Sequence, residues 1–85
     1  MNANILFEIY EITRDKEQSD LVFGLAMYKV DHPEITYEED KAIREFMGRH
    51  GQKLAKAFPN KEKFVEVVVE CEKLDEEALK EIEQE

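Results

Sequence analysis

The chain is poor in the residues that most often betray a function. Cys71 is its only cysteine, so no disulfide can form within it, and small secreted domains usually depend on such staples. It has no tryptophan, two prolines and three glycines. No stretch is rich enough in Pro, Gly or Ser to make a linker, so one domain over residues 1–85 is expected. The longest internal stretch without a charge, Leu21 to Tyr28, falls far short of the ~18 residues a membrane helix needs. The opening MNANILFEIYE has no basic residue before its apolar run and no small-residue cleavage site, which does not read as a signal peptide. A cytoplasmic protein without membrane contact is the expectation.

Chemical motifs are missing too. No phosphate-binding glycine loop, HExxH, CxxC or EF-hand spacing occurs, so neither a cofactor nor a metal is expected. Asp31, His32 and Glu34 stand within four positions, but three such residues rarely close a metal site alone, and they read as a polar turn. No nucleophile can be placed beside a base. Cys71 falls on an apolar face and reads as a small core residue, and no carboxylate pair stands out for acid–base work. An enzyme is not expected.

What the chain does have is charge. Charged residues make up 39% and hydrophobic ones 42% of 85 residues, enough for one thin core. Twelve basic residues face twenty-one acidic ones, for a net charge of −9. That excludes a general polyanion binder working through total charge. The distribution is uneven: −7 over residues 1–40, +5 over 41–63 and −7 over 64–85. The positive block is Lys41, Arg44, Arg49, Lys53, Lys56, Lys61 and Lys63. It reads as a solvated face or, more sharply, as a local anion site.

Asn4 to Ile12 and Leu21 to Val30 are rich in β-branched and aromatic residues, with Ile5, Phe7 and Ile9 at period two. They read as two antiparallel strands around a polar TRDKEQSD loop, although Leu, Ala and Met in the second segment also suit a helix. Thr36 and Glu39 fit a capping box, followed by a helix whose stripe is Ile43, Phe46, Met47, Leu54, Ala57 and Phe58, ended by Pro59-Asn60. Phe64 to Glu72 alternates as a third strand, and Asp75 fits the N-cap of a short terminal helix. A rival reading makes Lys61 to Gln84 one long helix; three consecutive valines and the cap at Asp75 speak against it. The expected fold is therefore α+β: two layers in the order ββαβα, a three-stranded sheet covered by one amphipathic helix, plus a short C-terminal helix.

Phe46-Met47-Gly48-Arg49-His50-Gly51-Gln52-Lys53-Leu54 resembles the GxxG loop of KH domains, where an apolar residue precedes the first glycine and another follows the second by three. The resemblance implies two short helices joined by a loop that clamps nucleotide backbone. It would assign single-stranded nucleic-acid contacts to Gly48, Arg49, His50 and Gly51, with Lys53 and Lys56 beside them. The helical wheel points elsewhere: residues before and after the glycines stay in phase, as in one continuous helix with His50 mid-stripe.

A sheet with one helix can cover only one face. Leu6, Tyr10, Ile12, Phe64 and Val68 on the other face are then a partner interface, unless Ala78, Leu79 and Ile82 of the terminal helix fold back over them. The leading expectation is thus a small non-catalytic protein-interaction module that self-associates or binds a protein partner. KH-like RNA binding through the GRHG segment is one alternative. An acidic mimic of nucleic acid, inhibiting a host protein with the carboxylates of residues 66–85, is another.

Overall fold

Ile5, Leu6, Ile9, Tyr10 and Thr13 recur at the spacing of one helical face, and all five are buried on helix α1, Ala3–Asp15. The computed structural model of the chain describes residues 2–15 and 20–84, with side chains through residue 81. Three further helices follow: α2, Leu21–Asp31; α3, Tyr37–Ala57; and α4, Lys61–Gln84. There is no strand among the described residues. The expected α+β fold, with its sheet over Asn4 to Ile12, Leu21 to Val30 and Phe64 to Glu72, is overturned: all three segments are helical.

The physical reason is the same in each segment. β-branched and aromatic residues favour strands by less than ~1 kcal/mol each, and that preference yields to packing. In α4 the deeply buried residues are Phe64, Val68 and Cys71, spaced i, i+4, i+7, while Val69 is exposed. The expected cap at Asp75 is overridden as well, because Asp75 lies well inside α4. Asn60 caps that helix instead, its side chain accepting from the Lys63 amide at 3.1 Å. Asp20 does the same for α2, accepting from the Val22 amide at 3.0 Å. The expected capping box is present: Thr36 Oγ1 accepts from the Glu39 amide at 3.1 Å, and Glu39 accepts from the Thr36 amide at 3.1 Å. Residues 16–19 of the expected hairpin loop lie outside the described residues.

The helices pair as two hairpins, α1 on α2 and α3 on α4. The first hairpin is closed at Gly24, where α2 runs against Ile9 and Thr13 of α1 with no room for a side chain. The Thr13 hydroxyl is tied down by donating to the Tyr10 carbonyl at 2.8 Å. The hairpins then share a core whose fully enclosed members include Tyr10, Phe46, Phe64, Leu54 and Val68. Tyr10 is the joint. Its ring stacks on Phe64 at 4.2 Å, meets Phe58 edge-on at 5.1 Å, and its hydroxyl donates to the Phe58 carbonyl at 2.7 Å. Lys61 adds an ion pair to Glu11 at 2.6 Å. The body measures 44 × 29 × 17 Å, and α4, at 1.5 Å per residue about 36 Å long, runs most of its length.

Candidate interaction surface

Helix α2 is apolar on nearly every side, so burying one face leaves another uncovered. Gly24, Leu25 and Tyr28 face inward. Val22 is 66% exposed and Val30 75%, and Phe23 is exposed too. Where α2 meets α3, this apolar surface forms a groove of about 520 Å³ lined by Val22, Leu25, Ala26, Met47 and Gly48, with Lys29 and Arg44 at its rim. Asp40 positions both cations: Lys29 Nζ lies 3.4 Å from one carboxylate oxygen, and Arg44 Nε donates to the other at 3.1 Å. Two positive charges against one carboxylate leave the rim positive by one.

On the opposite flank of α3, Asp75 receives two donors. Arg49 Nη2 is 2.8 Å from one oxygen, and His50 Nε2 is 2.9 Å from the other. Burial alone would raise the Asp75 pKa, but the hydrogen bonds from Arg49 and His50 outweigh it and hold the carboxyl below its usual value. His50 also packs edge-on to Phe46 at 4.8 Å, with its side chain only 12% exposed. The pair is a clamp between α3 and α4. Beyond it, Glu76 to Glu81 of α4 are exposed, including Ala78 and Leu79. The other titrations have ordinary causes. Burial pushes the Cys71 thiol up and, reinforced by Glu8, the Tyr28 phenol up. In the α2–α3 turn, His32 stacks on Tyr28 at 4.3 Å and bonds Glu34 at 3.0 Å.

The structure distributes the residues singled out from sequence differently from the expectation. Leu6, Tyr10, Phe64 and Val68 lie in the chain's own core, and Ile12 is half-buried against it. Ala78 and Leu79 do not fold back over them; the Ile82 side chain lies outside the described residues. The GRHG segment lies inside α3, at the kink between its two helical runs. At His50 the backbone leaves helical geometry (φ −117°, ψ 16°), and neither glycine has a positive φ. With no strand among the described residues, the sheet of the KH layout is absent there, and Arg49 and His50 are engaged by Asp75. Lys53 and Lys56 are exposed on α3. The groove residues Val22, Ala26, Lys29 and Met47 do not stand out in the sequence, because Leu21 to Val30 has the composition of a strand. Their signal was the all-round apolar character of that stretch, which as a helix must leave one side bare.

No protein-family model matches the chain, and no curated protein or solved structure matches it either.

The two glycines of α3 make a separate point. A Cβ added at Gly48 or Gly51 would meet nothing within 4 Å, so neither is there to let another element approach. Glycine costs about 1 kcal/mol relative to alanine inside a helix. Gly48→Ala and Gly51→Ala are each expected to raise stability by up to about 1 kcal/mol, read from the urea midpoint by circular dichroism. A drop in midpoint would show that the bend at His50 requires them.

Proposed function

We propose that this chain is a small non-catalytic protein-interaction module that self-associates through the apolar surface of α2 and the groove it makes with α3. The observation that carries the reading is the exposed apolar side of α2. Val22, Phe23, Ala26 and Val30 are uncovered on a helix whose other side is fully committed to the core. Scattered apolar residues on a surface mean little, but a concave apolar surface with few polar groups at its rim is what a docking site requires. In a chain of net charge −9, the positive rim also sets this surface apart electrostatically from its surroundings.

Light scattering across a dilution series tests the reading. The expected result is a mass that rises above 10.0 kDa with concentration and falls back on dilution. Val22→Asp should hold the chain at monomer mass with its helical spectrum unchanged, because Val22 is not part of the core. A monomer at every concentration would reject self-association.

A further inference from the structure

We propose that the acidic end of α4 from a second copy occupies the α2–α3 groove, and that the exchange is reciprocal, so that two copies pair about a two-fold axis. The proposal rests on the self-association reading and specifies its geometry. Helix α4 carries its buried stripe through Phe64, Val68 and Cys71. By helical spacing the same stripe continues through Leu74, Ala78 and Leu79, and there it is largely exposed, Leu74 at 42% and Leu79 at 57%. The nine residues after Asp75 extend the helix about 13 Å past the clamp. An apolar groove between α2 and α3 and an exposed apolar face near the end of α4 thus stand on the same molecule.

Charge matches the two. Residues 72–85 contain seven acidic and two basic residues, while the groove's own cations, Lys29 and Arg44, outnumber the one carboxylate that holds them, Asp40. Glu77 and Glu81, one turn apart, edge the stripe on the side of Leu74, and Glu76 edges it on the side of Leu79. The groove offers apolar walls with Lys29 and Arg44 at its rim. An amphipathic helix laid in a groove, anchored at i and i+4, is a common mode of recognition.

The chain's own tail cannot make this contact. Leu79 lines a cleft with Ala42, Glu45 and Phe46 on the α4 flank of α3, whereas the groove lies on the α2 flank. The Asp75 clamp to Arg49 and His50 fixes α4 on its side. The occupant is therefore a second molecule, and because each copy owns one tail and one groove, reciprocal docking closes the assembly at two.

The test mixes two full-length variants, Ala26→Cys in the groove and Glu77→Cys on the tail, bridged by a short bismaleimide. Both positions are exposed, and the native Cys71 is buried away from the reagent. The expected product is a 26–77 bridge between copies, located by mass spectrometry. In the otherwise unaltered chain, Leu79→Ser should weaken the dimer about tenfold, since a buried leucine is worth at least one decade in affinity. Arg44→Glu should weaken it up to about fivefold, as for an exposed ion pair. A dimer by light scattering that gives no 26–77 bridge and ignores Leu79→Ser would overturn this geometry while leaving self-association standing. A monomer throughout would overturn both.

Discussion

Tyr10→Ala is expected to cost about 3–5 kcal/mol, the usual loss when a large aromatic is cut from a core. Native proteins hold only about 5–15 kcal/mol in all, so the variant should lose a large share of its stability. The reason is the place of Tyr10 between the two hairpins. Its ring lies between Phe58 and Phe64, and its hydroxyl reaches the Phe58 carbonyl. The alanine variant strips contacts from both sides of the joint at once. Tyr10→Phe separates the parts: it keeps the rings and loses only the hydroxyl donor, for about 1 kcal/mol. Urea unfolding followed by circular dichroism measures both. If Tyr10→Ala costs no more than Tyr10→Phe, the hairpins are joined elsewhere.

Gly24→Ala is the second large effect, and its sign is opposite to that expected at Gly48 and Gly51. Helix propensity alone would make alanine better by about 1 kcal/mol. At Gly24 the new Cβ would overlap Thr13 Cγ2, lie 2.9 Å from Ile9 Cγ2 and 3.0 Å from the Ile9 carbonyl oxygen. Thr13 cannot swing aside cheaply, because its hydroxyl is bonded to the Tyr10 carbonyl and a β-branched side chain has few rotamers. The helix backbone at Ile9 cannot yield either. α1 and α2 must therefore separate, at the cost of overpacking, about 1–3 kcal/mol or more. A net loss near 2 kcal/mol would lower Tm by roughly 8–16 °C in a domain of this size. Thr13→Ser removes the offending methyl and keeps the hydroxyl, so in the Gly24→Ala background it should restore part of the loss. That recovery is the coupling a double-mutant cycle reads. Equal or higher stability in Gly24→Ala would contradict the close crossing of these helices.

Local signals were legible in the sequence where they were self-contained. The Thr36 capping box and the stripe of Ile43, Phe46, Met47, Leu54 and Ala57 stand as the spacing predicts, because caps and periodicity within one long helix depend on few distant contacts. The in-phase wheel across Gly48 and Gly51 predicts one continuous helix, and the kink at His50 departs from that expectation. The other three helices were hidden by ambiguity between two periods. In ILFEIYEIT so many positions are apolar that Ile5, Phe7 and Ile9 fit period two as well as Ile5, Leu6, Ile9 and Tyr10 fit a helix face. In FVEVVVEC the valines favour extended backbone, yet Phe64, Val68 and Cys71 at helical spacing are the ones that reach the core. Which period wins is decided by what each segment packs against, which lies elsewhere in the chain. Only the apolar character of Leu21 to Val30 hints at the groove in the sequence; its shape exists only once α2 is a helix and lies against α3. Asp75 suits a local capping role by its sequence but holds a distant one, receiving Arg49 and His50 across the α3–α4 pair.

The pairing of each helix with its neighbour in the chain has a kinetic consequence. Nearly all of the order can be gained by closing short loops, first α1 onto α2 and α3 onto α4, before the two halves meet at Tyr10. Proteins assembled from such nearby partners reach their final state in microseconds to milliseconds. Newly made copies of this chain therefore spend little time with the oily surfaces of their core bare.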